Sequence, residues 1–456
     1  MKATLPPSSA LPLLELTPTE KQNVTEEVAA VLAETLEIER AFLADRGPID
    51  RRRWKVVKSR DDVHVYRERT VTGSTSTNTS TSGGGGLFGR MRPTPAKPLV
   101  DGSFFVDDQR PIASTTSTVS TTDGGLVASM KAPHIPMIVA SGNVEGALED
   151  SVFGTMAGDE IAWRLRSTYM KDRFADAKIL ATIKQPTLED PFDYLAIKWF
   201  VRDYPILMSN FVAPRDSLVA EATGLTLDEF GNQYGYYIVH QFFHPSLPHM
   251  RDLGVYRCKI SLCFVSRQVS ADQVHIFARG FVDPGGNLSP NITLLLVAET
   301  MLSSALSVDS SNAKKLTWLL AQKQKHRRRR STPPHVHTNV CEGCHKTGGF
   351  LKSSLSLCRL CDHKFCSRCT VQRKLIVDMS SGGVTERPFS FCFPCMLQAK
   401  QLSPYEVAVD TVQQRMEPIM SSRRHIKSVG SNGDLSARSR RTVSTESSTD
   451  SVTFRM

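Results

Sequence analysis

The chain has 456 residues, a hydrophobic share of 40% and a net charge of +10. That length calls for about two to three domains, and the apolar content suits one large core with polar tails. No run of eighteen apolar residues occurs, so no membrane-spanning helix is expected; the positive charge gathers after residue 310.

The first sixteen residues are Pro-rich and predict a flexible N-terminus, 1–16. Thr17-Pro18-Thr19-Glu20 then reads as a helix start, with Thr17 as cap, Pro18 in the first turn and Glu20 closing a capping box. Val24, Val28, Val31, Leu32 and Leu36 follow at helical spacing, with Glu26, Glu27, Glu34 and Glu37 on the other face. The helix is expected to reach about Asp45. Trp54 to Tyr66 reads as a strand or hairpin through Val56, Val63 and Val65. Residues 70–86 and 113–125 are rich in Ser, Thr and Gly. They predict a flexible insertion over about 70–132, inside a domain because strand patterns resume after it.

Strand candidates follow at 137–146, 161–169, 177–184, 194–201, 217–227, 235–243, 255–265 and 273–281. A helix is expected over 146–158 through Leu148, Val152 and Met156. The short gaps favour an antiparallel sheet, because parallel pairs need long crossovers. Ser289-Pro290 opens a long helix whose apolar face is Leu295, Ala298, Leu302, Ala305 and Leu306. The polar stretch Val308 to Asn312 is expected to break it before a second piece carrying Leu316, Leu319 and Leu320. The fold class is therefore α+β, with a large antiparallel sheet that needs a cover.

This layout resembles the START lipid-transfer family and its helix-grip fold, over roughly residues 20 to 325. Val212-Ala213-Pro214-Arg215-Asp216 looks like that family's proline-arginine-aspartate segment. Arg279 to Gly286 is similar to its closing strand and loop. The resemblance implies a curved sheet wrapping the long C-terminal helix around an apolar tunnel for one lipid or sterol. No tunnel residue is legible, though Trp163, Trp199, Phe200, Phe242, Phe243 and Phe264 are candidates for wall or core. Cys258 and Cys263 read as small hydrophobes on one strand. His240, His244 and Asp252 can be drawn as a triad but lack a nucleophile elbow, so no enzyme activity is expected.

A basic cluster follows at Lys323, Lys325, His326 and Arg327, Arg328, Arg329, Arg330. It reads as a linker, 326–335, attracted to an anionic membrane surface; nucleic acid is not expected, because no recognition helix or stacking motif accompanies the charge. Eight of the ten cysteines then form four Cys-x2-Cys pairs: Cys341/Cys344, Cys358/Cys361, Cys366/Cys369 and Cys392/Cys395. Such turns point thiolates at tetrahedral metal, here two Zn2+ ions with four sulfurs each. The gaps between pairs are thirteen, four and twenty-two residues. Pairing the first with the third and the second with the fourth fits those gaps; a sequential pairing of neighbouring knuckles remains open. No secretory signal precedes the cysteines, so a disulfide framework is not expected.

Residues 336–400 resemble a FYVE-type zinc finger, in the wider FYVE/PHD group, through this spacing and through Cys358 to Cys369. The resemblance implies a cross-braced two-zinc fold, recognition of phosphatidylinositol 3-phosphate, and a membrane-touching loop at Phe350 and Leu351. The family's basic motif falls on Ser354, Leu355, Ser356 and Leu357, leaving Arg359 alone. Two serines and two leucines supply neither charge nor a donor fork, so the zinc fold carries over further than the phosphate grip. Residues 401–456 read as a disordered Ser/Arg-rich tail. A START-like domain followed by such a finger is an architecture associated with oomycete proteins. It implies a cytoplasmic lipid-binding or lipid-transfer protein, peripheral to endosomal or other internal membranes, with the finger as a membrane- or partner-targeting module. The alternative is a scaffold or adaptor, ubiquitin-ligase-like, that binds protein partners and has lost its cargo.

Overall fold

The computed structural model describes residues 7–44, 51–69, 125–172, 174–202, 212–329, 339–347, 355–380 and 383–429. Helix α1 (Pro18–Ala44) starts as its sequence predicts. The Glu20 N–H donates to Thr17 Oγ1 at 3.2 Å, and the Thr17 N–H donates back to Glu20 Oε2 at 2.8 Å. Strands β1 (Trp54–Arg60) and β2 (Val63–Glu68) form a hairpin, and a short helix α2 (Leu126–Met130) follows. Then come β3 (Ile138–Glu145), α3 (Leu148–Thr155), α4 (Glu160–Tyr169), β4 (Phe174–Lys184), β5 (Tyr194–Arg202), β6 (Arg215–Leu227), β7 (Gln233–Gln241), β8 (Tyr256–Ser270) and β9 (Gln273–Asp283). Among the described residues these strands make one nine-stranded sheet in the order β1-β2-β3-β9-β8-β7-β6-β5-β4. Its neighbours are antiparallel, save that β6 and β8 also pair directly in parallel at Arg215–Ser217 and Tyr256–Cys258, beyond the end of β7.

Alternation in the strands decides the two faces. On β6, Leu218, Ala220 and Ala222 join one core with Val24, Val28 and Val31 of α1. On β8, Ile260, Leu262 and Phe264 face the other way, toward helix α5 (Pro290–Leu302) and its Val297, Ala298, Met301 and Leu302. A 3-10 turn, Ser303–Leu306, leads into α6 (Ser307–Arg329). The sheet thus lies between α1 and the long helix, which is the START-like helix-grip arrangement. Pro290–Arg327 has the length and apolar composition of a membrane-crossing helix, contrary to the expectation from apolar runs. Its Val297, Ala298, Met301 and Leu302 are buried against the sheet, while Ile292 and Leu295 are exposed.

Strands β10 (Ser356–Leu357) and β11 (Lys364–Phe365), the hairpin β12 (Thr370–Ser380) and β13 (Gly383–Cys392), and helix α7 (Phe393–Gln401) build the finger. Helix α8 (Pro404–Val429) ends the described chain.

Several elements differ from expectation. Residues 161–169 are helix, not strand: Asp159 Oδ1 accepts the Ala162 N–H at 2.6 Å, and Trp163, Arg166 and Ser167 bury at helical spacing. Residues 7–16, expected to be flexible, bury Leu11, Leu14 and Leu16 along the edge strand β4, where the Leu14 N–H donates to Leu180 O at 2.9 Å. The insertion ends earlier than residue 132, because α2 buries Val127; residues 70–124 lie outside the described residues. The long helix is interrupted at Ser303–Leu306 rather than at 308–312, where buried Ser310 and Ser311 bond to Gly154 O and Asp150 Oδ1. The linker expected from residue 326 is helix to Arg329, and 330–338 lie outside the described residues. The tail expected from 401 begins as α8, whose Val407, Ala408 and Val412 are buried. Residues 430–456 lie outside the described part.

The finger is joined to the sheet domain by more than chain connectivity. Leu316 of α6 is buried in the finger's own core with Phe391, Met396 and Ala399. Lys315, fully buried, reaches Asp150 at 2.8 Å and the Lys400 and Leu402 carbonyls at 3.0 and 3.2 Å. The close approach of α3 to α6 requires Gly154, since a Cβ there would overlap the Ser307 carbonyl oxygen. Tyr169 Oη accepts the Ile376 N–H at 3.2 Å, tying α4 to the finger hairpin.

Candidate functional site

Between the sheet and α5 lies a cavity that opens to solvent. Strands β5 to β9, α4 and α5 supply its walls. Phe200, Ile260, Leu262, Phe264, Leu296 and Val297 make much of it apolar, as burying an alkyl or sterol body requires. Trp163, Phe200 and Phe264 line it, as the sequence allowed. Trp199 faces the opposite core and donates to Asp216 Oδ2 at 2.9 Å. Phe242 packs at that opposite core and Phe243 is exposed.

The polar groups of this cavity were missed by the sequence reading. Glu221 of β6 is 2% exposed and holds two cations. Its Oε1 accepts from Arg166 at 2.8 Å and Lys198 at 2.6 Å; its Oε2 accepts from Arg166 at 3.0 Å and from Tyr237 Oη at 3.3 Å. The Lys198 ammonium also lies 4.5 Å from the Trp163 ring centre and 4.8 Å from that of Tyr194. Burial alone would raise the Glu221 carboxyl, but Arg166 and Lys198 hold it down to about 2. Burial pushes Lys198 down to about 8 against the pull of Glu221. Nearer the mouth, Arg202 pairs with Asp172 at 3.1 Å and donates to Thr300 Oγ1 of α5 at 2.5 Å. Arg215 donates to the carbonyls of Ala213, Pro284 and Gly285 at 2.7, 3.0 and 3.3 Å. A signal for these groups did exist. Lys198 interrupts Ala196-Ile197-Lys198-Trp199-Phe200, and Glu221 interrupts Val219-Ala220-Glu221-Ala222. A charge inside an apolar strand run marks a buried pair.

His240 does not join His244 and Asp252. Its Nδ1 contacts Ser261 Oγ at 2.9 Å and its Nε2 contacts Glu27 Oε1 at 3.1 Å. Ser261 is 0% exposed, so this Ser-His-Glu contact, though triad-like in outline, offers no reacting atom to a substrate. Cys258 lines the cavity and Cys263 lies in the opposite core; burial pushes both thiols up to about 12.

The cysteines of the finger gather into two sets, and the interleaved pairing is the one formed. Cys341, Cys344, Cys366 and Cys369 make one; Cys358, Cys361, Cys392 and Cys395 make the other, with sulfurs within 4.8 Å of one another in each. The β10–β11 and β12–β13 turns bring the third and fourth pairs back onto the first and second. Backbone amides prepare the sulfurs as anions: Cys366 N–H donates to Cys341 Sγ at 3.2 Å and Cys392 N–H to Cys358 Sγ at 3.3 Å. Burial would raise the Cys341 thiol, but backbone donors draw it to about 6, and Cys395 and backbone donors draw Cys358 to about 4; burial pushes Cys361 and Cys369 up, and the bond to Cys358 pushes Cys395 up. Four sulfurs at this spacing fit one tetrahedral metal ion per set.

Leu355 packs against the finger core, and Ser356 and Leu357 form β10. Arg359 stacks 5.4 Å from the Phe389 ring centre. Arg327 pairs with Asp362 at 2.7 Å. Phe350, Leu351, Ser354 and Arg330 lie outside the described residues, as do the side chains of Arg328 and Arg329.

No protein-family model and no curated protein matches the sequence. Among solved structures the chain is similar to the lipid transfer and protein localization domain of human StarD13 (DLC2), at 12% identity and a TM-score of 0.32, over 57% of this chain and 88% of that one. It is similar to human StAR-related lipid transfer protein 5 at 12% identity and a TM-score of 0.33, over 62% and 96% of the two chains. A STAR-related lipid transfer protein from Xanthomonas axonopodis matches at 13% identity and a TM-score of 0.31, over 57% and 98%. The helix-grip fold and the two four-cysteine sets stand on this chain's own strands, helices and sulfur positions.

Proposed function

We propose that this chain is a lipid-binding or lipid-transfer protein that holds one amphiphile between its sheet and α5. The observation that carries the reading is the cavity itself, apolar over much of its wall and carrying a few fixed polar groups at Glu221, Arg166 and Tyr237. A START-like fold that had lost its cargo would fill this space with side chains, so the cavity favours a carrier over a scaffold. Each four-cysteine set takes one Zn2+, whose role is to hold the finger's fold. The basic stretch from Lys323 to Arg330 draws the protein to an anionic membrane surface, at about 1 kcal/mol per basic residue near the lipid. Work at cytoplasmic faces of internal membranes follows from that reading. Motif positions taken up by packing, such as Leu355, make that attraction one of charge rather than of 3-phosphate recognition.

Native mass spectrometry of the full chain, with lipid extraction from the same preparation, tests this. Two zinc ions and one co-purified lipid are expected. Two zinc ions with no lipid, even after incubation with cell lipids, would overturn the carrier reading.

A further inference from the structure

Among the described residues the cavity is not charge-balanced. Three arginines line it, Arg166, Arg202 and Arg215, against two carboxylates, Asp172 and Glu221. A further cation, Lys198, lies directly behind the wall on Glu221, so that one carboxylate serves two fully buried bases. Among the described residues no carboxylate lies within ion-pair distance of Arg215; its fork ends on loop carbonyls. A buried surplus of positive charge is costly unless something anionic shares the space. The protein reduces that cost in part by stacking Lys198 on two aromatic rings and by drawing its proton affinity down. A surplus retained inside an apolar chamber is what an acidic headgroup needs, since charge-assisted bonds gain strength out of water.

We infer that the cargo is an anionic amphiphile, an alkyl chain ending in a carboxylate or a phosphate, whose acid group sits among Arg166, Arg202 and Arg215. The inference rests on the lipid-carrier reading above and narrows it to one class of headgroup. Arg166 and Arg202 take different parts. Both terminal nitrogens of Arg166 are engaged, with Glu221 and the Thr155 carbonyl, so Arg166 adds field more than free donors. Arg202 is one-quarter exposed and spans from Asp172 to α5, where an incoming acid can compete for its fork. Either headgroup chemistry would satisfy the surplus, and the two are separable by experiment.

The test uses the full zinc-loaded chain, stripped of bound lipid. Four compounds with one shared oleoyl chain are titrated by calorimetry and checked by native mass spectrometry: oleate, lysophosphatidic acid, uncharged monoolein and zwitterionic lysophosphatidylcholine. Both anions are expected to bind at least about tenfold more tightly than monoolein, and the better of the two assigns carboxylate or phosphate. Lys198→Met, which leaves Arg166 and Glu221 paired one to one, is expected to cut the ratio of anion to monoolein affinity severalfold. Arg202→Gln, at a partly exposed position, repeats the test if the Lys198 variant does not fold. Monoolein binding as tightly as the anions would overturn the headgroup inference and leave the carrier reading standing. Binding of none of the four would overturn both.

Discussion

In the sheet domain the core is made of aliphatic and aromatic side chains contributed by strands far apart in sequence. In the finger, cysteines stand among those core residues: Cys341, Cys358, Cys366, Cys392 and Cys395 are buried beside Leu375, Phe391 and Met396. The first region folds by removing apolar surface from water. The second packs its apolar residues around two four-cysteine sets that each fit one metal ion. The contrast shows which interactions hold each region, and Leu316 and Lys315 are where the two meet.

The largest expected effect comes from metal removal. Chelation, or Cys358→Ser, is expected to unfold the finger, because structural zinc supplies about 10–16 kcal/mol of folding free energy in zinc-finger peptides. Amide exchange read by mass spectrometry should rise sharply in β12 and β13 and stay low in β6. Equal loss of protection in β6 would mean that the two regions fold as one unit.

Next comes Glu221→Gln, which leaves Arg166 and Lys198 buried without their anion. A loss of about 3–5 kcal/mol is expected for breaking such a pair from one side. The measurement is denaturant unfolding followed by Trp fluorescence, and a loss under about 1 kcal/mol would show that water reaches the pair. The same carboxyl predicts a pH signature. Its folded value is lowered from 4.5 to about 2, so its contribution is complete above 4.5 and is lost as pH falls toward 2. Lys198 is lowered from 10.5 to about 8, so the unfolded chain holds its proton more tightly and stability contributed there rises between pH 8 and 10.5. Lys198→Met should remove the alkaline rise and keep the acid loss.

Leu316→Ala sits on the seam between the regions. Deleting a buried leucine costs about 2–5 kcal/mol, and here the loss is expected in the finger's transition, read as a lower zinc affinity in a chelator competition. The smallest effect is Thr17→Ala, which removes the cap of α1 and should lower the sheet domain's stability by about 1 kcal/mol with no change in metal binding.

What could be read in advance follows from the same contrast. The capping box at Thr17, the alternating strands from β3 to β9 and the Ser289-Pro290 helix start are local patterns, and the structure has them. The cysteine pairs were legible as sets that could hold metal, while the choice between interleaved and sequential sets needed the β12–β13 hairpin to be seen closing. Helix α4 was mistaken for a strand because its buried face includes Arg166 and Ser167, which an apolar count does not register. The cavity's polar groups were only half legible: Lys198 and Glu221 stand out inside apolar runs, but nothing local pairs them with each other or with Arg166. Arg166, Lys198 and Glu221 lie apart in sequence, and only their meeting in space distinguishes a buried pair from three exposed charges.

Two helices joined by the Ser303–Leu306 turn touch both sites: Val297 and Thr300 of the first border the cavity, and Leu316 of the second is built into the finger. A ligand that orders the first end lowers the entropy still to be lost at the second, and thermodynamic linkage makes that help reciprocal. Zinc affinity measured with the cavity full and with it empty should therefore differ, and cargo affinity should differ by the same factor with the metal present and absent.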